Sequence, residues 1–259
     1  MSNRKEQFLV GTSGWSYDHW KGVFYPEDCP KRKWFEYYTK KFSTVEVNAT
    51  FYRKFSDKTY YNWRERVSKD FFYVLKAPRL ITHRKYLKDV GEEIKGFCNS
   101  ASLLEDRLGL ILLQLAPGTP YDPERLRKAL LAFRDPRKVA VEFRNKKWLT
   151  EETRKLLMEV GSVFCTADSP KTKLMDWITS DIAYIRLHGR QKWYAYDYST
   201  EELQEIAVLA KKMIEFGAKR IFIFFNNDFD GYAPKNALTL LELLTSQIHH
   251  LILNCNEIT

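Results

Sequence analysis

Glu142 and Arg144 stand two positions apart in the run Val-Ala-Val-Glu-Phe-Arg, residues 139–144. Val139, Val141 and Phe143 alternate with Ala140, Glu142 and Arg144, which is the period of a β-strand. One face is wholly apolar. The other begins small and ends in two opposite charges. A carboxylate beside a guanidinium is either a structural ion pair or the floor of a site that moves protons and binds anions. The same phase recurs along the chain. Glu46 and Asn48 alternate with Val45 and Val47, and Val74 and Lys76 with Tyr73 and Leu75. Leu112 and Gln114 alternate with Leu113 and Leu115, and Arg186 and His188 with Ile185 and Leu187. Asp168 closes another apolar run, Asn226 and Asn227 a further one, and Ser13-Gly14-Trp15 follows the first.

Brought to one place, these side chains have recognisable uses. Glu46 and Glu142 suit a general acid or base, with His188 as proton partner because imidazole titrates near neutrality. Lys76, Arg144 and Arg186 suit a clamp on negative charge. Asn48, Gln114, Asn226 and Asn227 would orient hydroxyls or carbonyls, and Asp168 adds a carboxylate. Trp15, Trp148 and Tyr52 would give flat walls for a sugar or base. Each residue alone also has a plainer reading, as ion pair, packing histidine or core aromatic. The recurrence at one end of successive strands is what points to a ligand site.

The elements that must position them are legible too. Eight apolar, β-rich runs fall at 7–13, 43–48, 71–77, 108–115, 138–143, 162–168, 182–189 and 220–227. Helix-like stretches lie between most of them. Asp122 with Pro123 reads as an N-cap and first helical position, Thr150 and Gly161 as the two ends of another helix, and Ser199-x-x-Glu202 as a capping box before a helix stopped at Gly217. Strand–helix alternation repeated eight times is the pattern of a parallel (β/α)8 TIM-like barrel. Residues 169–181 are too few for a full crossover helix, so a short or irregular element is expected between strands 6 and 7. A doubly wound sheet fits less well, since no G-x-G-x-x-G turn follows the first strand. With no linker or repeat, residues 1–259 read as one domain. In a barrel the outer strand face meets helices, so the apolar set faces out and the polar set faces in, toward the C-terminal mouth where barrel sites lie.

Composition narrows the classes. The 259 residues are 44% hydrophobic and carry a formal net charge of +9. That suits a globular chain with an anionic partner, either a small ligand or a nucleic acid. Cys29, Cys98, Cys165 and Cys255 form no C-x-x-C pair, so neither a zinc site nor a disulfide framework is expected, and reduced thiols suit a cytoplasmic protein. His19, His83, His249 and His250 have no metal-ligand spacing, and the adjacent pair reads as surface. No metal or cofactor is expected. The first eleven residues show no apolar leader, and no run is long enough to span a bilayer. Oligomeric state is not addressed by the sequence.

Seven segments carry a family resemblance: GTSGWSYDHWKGVFYP (11–26), VEVNATFY (45–52), YVLKAPRLITH (73–83), LGLILLQLAP (108–117), VEFRNKKW (141–148), YIRLHGR (184–190) and FFNNDFDGYAPKNA (224–237). Together they resemble the YecE-like family, known as domain of unknown function 72, nearly end to end. The resemblance implies a TIM-barrel fold. It also implies that Trp15, Glu46, Asn48, Tyr52, Lys76, Gln114, Glu142, Arg144, Trp148, Arg186, His188, Asn226 and Asn227 are motif positions. The chain departs from the family pattern at Ala116-Pro117, where Pro-Pro is usual, and at Asn145, where His is usual. Both lie at the rim. The resemblance leaves activity open. The first reading is an enzyme for a polar, anionic substrate such as a phosphorylated sugar or nucleotide. The alternatives are a nucleic-acid-binding or -processing protein, using the aromatic loops GWSYDHW and KWYAYDYS with Arg190 and Lys192, and a non-catalytic ligand-binding module.

Overall fold

The structure, a computed structural model, describes residues 7–256, with side chains up to residue 245. His249, His250 and Cys255 lie outside the described side chains. Eight strands form one sheet: β1 (Phe8–Thr12), β2 (Thr44–Val47), β3 (Phe72–Lys76), β4 (Leu108–Gln114), β5 (Val139–Glu142), β6 (Val163–Asp168), β7 (Ile182–Leu187) and β8 (Arg220–Phe225). Every ladder is parallel, and the order β1-β8-β7-β6-β5-β4-β3-β2 makes a nearly closed ring. The TIM-like (β/α)8 architecture expected from the alternation is the one observed.

The ring closes between β1 and β2 by a side chain as much as by backbone. Helix α1 (Trp34–Thr39) buries Tyr38 beneath the seam. The Thr12 backbone N–H donates to the Tyr38 hydroxyl at 3.0 Å, and that hydroxyl donates to the Thr44 carbonyl, also at 3.0 Å. At the top of the seam the Gly14 N–H donates to the Glu46 carbonyl at 2.8 Å. Gly11 allows this approach, because a Cβ there would stand 2.3 Å from the Thr44 carbonyl oxygen.

The remaining helices are α2 (Ala49–Tyr52), α3 (Asp57–Glu65), α4 (Gly91–Ala101), α5 (Pro123–Leu131), α6 (Glu151–Val160), α7 (Thr200–Glu215) and α8 (Tyr232–Asn256). Their ends follow the residues that announced them. Asp122 accepts from the Arg125 N–H with Pro123 at the first turn, Thr150 accepts from the Thr153 N–H, and Gly161 takes a left-handed φ of 77°. Ser199 and Glu202 form a complete capping box. Residues 169–181 make no helix. A Ser169–Thr172 bridge opens the segment, and Leu174, Met175, Trp177 and Ile178 cover the barrel where a helix would lie. The one-turn α2 and the π-helical turn Leu80–Arg84 are too short to leave a periodic signature, and neither was expected.

Strand side chains divide as the alternation requires. Val45, Val47, Tyr73, Leu75, Leu113, Leu115, Val139, Val141, Phe143, Ile185 and Leu187 join the outer core beneath the helices. Leu9, Val74, Leu110, Leu112, Ala140, Val163, Cys165, Tyr184, Phe222 and Phe224 fill the barrel interior. Polar groups take over toward the C-terminal ends of the strands, where Phe224 is paired in register with Arg186.

Candidate functional site

Arg186 stands at the centre of the mouth, on the inner face of β7 and 1% exposed. Its Nε donates to Glu46 Oε2 at 2.9 Å and its Nη2 to Glu46 Oε1 at 2.7 Å, a side-on bidentate pair. Its Nη1 donates to Glu142 Oε2 from the opposite side. One guanidinium thus ties β7 to both β2 and β5.

Glu46 is saturated. Besides Arg186, the Ser13 hydroxyl donates to Oε1 at 2.7 Å and the Tyr184 hydroxyl to Oε2 at 2.5 Å. Burial pushes its pKa up, but Arg186 and the hydroxyls outweigh that and hold it below the usual carboxylate range. Ser13 entered the sequence reading only within the Ser13-Gly14-Trp15 stretch, with no partner assigned, and Tyr184 was not singled out. Tyr184 reads there as one more barrel-filling aromatic, and nothing along the chain reveals its hydroxyl partner.

Glu142 takes aligned hydrogen bonds on one oxygen only, while the other is held by an ion pair. Oε2 accepts from Gln114 Nε2 at 2.8 Å and from Arg186. Oε1 lies 2.6 Å from Arg144 Nε and 3.4 Å from His188 Nε2, yet no aligned hydrogen bond reaches it. Burial again raises the pKa, and Arg186, Arg144 and His188 more than reverse it, keeping this carboxylate ionised well below its ordinary range.

His188 is fully buried. The Asn226 Nδ2 lies 3.0 Å from its Nδ1, and Arg144 Nη2 lies 3.1 Å from its Nε2. Nε2 carries a hydrogen when it serves Glu142 and a lone pair when it serves Arg144, so the neutral ring has two workable tautomers, the Asn226 amide turning over with it. Burial and the neighbouring Arg186 push its pKa down to about 4 against the opposing pull of Glu142. It is therefore a neutral donor or acceptor at physiological pH, as are imidazoles used as electrophiles elsewhere. Trp193, from the loop after β7, lies 4.9 Å over the Arg144 guanidinium and 5.5 Å from the imidazole, closing that side.

Lys76, on the inner face of β3, is 8% exposed and forms no ion pair or side-chain hydrogen bond among the described residues. Its Nζ sits 4.3 Å from the centroid of the Phe51 ring. Burial and Arg186 bring its pKa down to about 8, with Glu46 and Glu142 pulling the other way. Asn48 begins the turn that carries Phe51, and its buried Oδ1 has no partner.

Other expected site residues lie apart from this cluster. Trp148 is core, stacked 5.3 Å from Phe143, and Trp15 packs 4.8 Å from Phe35 in the outer layer. Tyr52 is exposed at the rim. Asn227 ties loops together by donating to the Tyr196 carbonyl and to Asn236 Oδ1, each at 2.7 Å. Asp168 accepts from Arg190 Nε at 3.0 Å, and Arg190 also meets Glu202 and Glu205, so this carboxylate anchors the loop before α7. A cavity of about 920 Å³ lies beside the mouth rather than in it, lined by Asp168, Arg190, Lys146, Lys171 and Lys173 among others.

The family model described as protein of unknown function DUF72 matches residues 9–257. This chain belongs to the DUF72 family. A DUF72 crystal structure from Thermotoga maritima MSB8 is 32% identical, covers 92% of this chain and 99% of its own, and superposes with a TM-score of 0.84. A second DUF72 structure, from Enterococcus faecalis V583, is 22% identical with a TM-score of 0.80 over 92% of this chain and 95% of its own, a likeness of fold. The UPF0759 protein YunF of Bacillus subtilis is 25% identical over 91% of this chain and 94% of its own length. The UPF0759 protein YecE of Escherichia coli K12 is 30% identical over 49% of this chain and 43% of its own. The DUF72 barrel is thus the scaffold on which the buried Glu46–Arg186–Glu142 network is mounted. Among its described residues, no helix is long and apolar enough to cross a membrane.

Proposed function

We propose that this DUF72 chain is an enzyme acting on a small anionic, hydroxyl- or carbonyl-bearing substrate at the C-terminal mouth. One observation carries the reading: the mouth holds two carboxylates, Glu46 and Glu142, against three cations, and the cation left without a carboxylate is the buried Lys76. A buried excess of positive charge has its natural complement in an anion. The positive field of the mouth, to which Lys76 and Arg144 contribute, draws in the substrate's negative group. Glu142, through Oε1, accepts a hydrogen bond or proton from a substrate hydroxyl, and neutral His188 relays it. Arg144 stabilises charge that develops on the substrate oxygen. Glu46, with four donors already on it, positions Arg186. This narrows the acid–base role from either glutamate to Glu142.

A nucleic-acid reading has its own support in Lys146, Lys171 and Lys173, which line the side cavity and form no ion pair among the described residues. The aromatic loops weigh against it. Trp15, Trp20 and Trp193 are engaged with protein groups, which leaves few free faces for bases.

Thermal unfolding in the presence of phosphorylated sugars and nucleoside monophosphates tests the reading. A ligand at a hundred times its Kd raises the midpoint by about 5 °C in the wild type. The same ligand leaves Lys76→Met unmoved. An unchanged midpoint across the panel, with DNA and RNA oligonucleotides binding at low salt, sinks the small-anion reading in favour of nucleic acid.

A further inference from the structure

Three features gather around the Phe51 ring at the mouth. Lys76 Nζ lies on the face of Phe51 and is held by no carboxylate. The His83 ring stands edge-on to that same Phe51, centroids 5.0 Å apart, with its Nδ1 tied to the Thr82 hydroxyl at 2.8 Å. Asn48 opens the turn carrying Phe51 and offers an unpartnered buried Oδ1. The turn is locked to β3, because the Thr50 hydroxyl donates to the Lys76 carbonyl at 2.7 Å. A buried amine thus lies on the Phe51 ring, His83 packs against that same ring, and the turn that carries the ring opens with an idle acceptor.

We infer that Lys76 is a nucleophile that takes an anionic aldehyde or ketone as an imine, with His83 as its proton shuttle and Asn48 as acceptor for the intermediate's hydroxyl. The inference rests on the small-anion reading above and names its substrate class. A lysine desolvated beside other cations is the arrangement that supplies free amine near neutrality. Its charged surroundings are Glu46 from β2, Glu142 from β5, Arg144 just beyond β5, Arg186 from β7, and Arg79 and His83 from the segment after β3. Burial and the cations Lys76, Arg79 and Arg144 hold His83 below its usual range, so the imidazole is neutral and able to take a proton.

The step balances without any oxidant or reductant. The free Lys76 amine attacks the carbonyl carbon, a C–N bond forms, and the C=O π pair moves to oxygen, which takes up a proton from solvent. The nitrogen gives its extra proton to His83. The resulting carbinolamine hydroxyl accepts that proton from His83 and leaves as water, and the remaining N–H proton is returned to solvent, giving the imine. Amine and carbonyl become imine and water.

Reductive trapping tests this on the intact chain. The protein is incubated at pH 7 with glycolaldehyde phosphate and cyanoborohydride, which reduces an imine to a stable secondary amine, and modified lysines are located by peptide mass mapping. Lys76 is expected to react at least about tenfold faster than exposed lysines such as Lys147, because more of its amine is free. Ethylene glycol monophosphate, the same anion without the carbonyl, is expected to slow labelling of Lys76 only. His83→Asn is expected to lower the Lys76 rate with the binding of ethylene glycol monophosphate unchanged. If Lys76 reacts no faster than the surface lysines while ethylene glycol monophosphate still binds the wild type and fails to bind Lys76→Met, the imine inference is overturned and anion binding stands. If ethylene glycol monophosphate fails to bind at all and Lys76 is not selectively labelled, both are overturned. The wild-type labelling pattern decides the matter even if a variant folds poorly.

Discussion

At the scale of single residues, the mouth separates side chains that look alike in sequence. Lys76 and Arg186 are both inward cations on alternating strands, yet one lacks a carboxylate and the other holds two. Glu46 and Glu142 are both inward carboxylates, yet only Glu142 keeps an oxygen without an aligned donor. Alternation assigned each to the interior. It could not assign partners, because those come from strands distant in the chain: Ser13 and Tyr184 for Glu46, Gln114 for Glu142. The histidine makes a pH prediction. His188 has a folded pKa of about 4 against 6.5 for a free imidazole. Its neutral form therefore supports the fold fully above pH 6.5, and that support fades as pH falls toward 4, where the folded ring must also accept a proton. The loss amounts to about 3 kcal/mol. Urea denaturation at pH 7 and pH 4 should show His188→Gln losing less stability across this window than the wild type, by about that amount. Equal losses in the two proteins would mean the ring is not kept neutral.

At the scale of elements, the seam between β1 and β2 depends on one phenolic hydroxyl. Tyr38→Phe keeps the ring in its packing and removes the group that both accepts from the Thr12 N–H and donates to the Thr44 carbonyl. Two buried backbone groups then lose a partner, which costs about 1–3 kcal/mol each when left unmet. Equilibrium unfolding should show a loss of about 2–6 kcal/mol, with faster amide exchange at Thr12 than in the wild type. A loss below about 0.5 kcal/mol would place the closure elsewhere. The helix caps at Asp122, Thr150 and Ser199 were readable because capping chemistry is local in sequence. The α2 turn and the π-helical turn were not, since four or five residues carry no period. The short 169–181 crossover was readable from its length alone, and its extended course follows from having too few residues to run a helix and return.

At the scale of the whole molecule, we propose that the ring makes the described chain one cooperative unit. Seven parallel ladders join the eight strands, and the outer core draws on residues from Val10 to Leu244. Differential scanning calorimetry should give a single transition with equal calorimetric and van't Hoff enthalpies. Two resolved transitions would divide the chain into separate domains. The barrel was legible because outward apolar and inward polar positions kept phase across five strands, and sustained agreement between local pattern and global fold is what makes an architecture readable. The buried network of Glu46, Arg186 and Glu142 has a consequence of a different kind. Its dipoles are fixed by covalent strands and bidentate contacts, so they do not need to turn when a ligand arrives. In water, solvent must reorient around each new charge on a reacting molecule. Here that reorganisation is completed as the protein folds, so under the proposed function a substrate entering the mouth meets an electric field already set to its final direction.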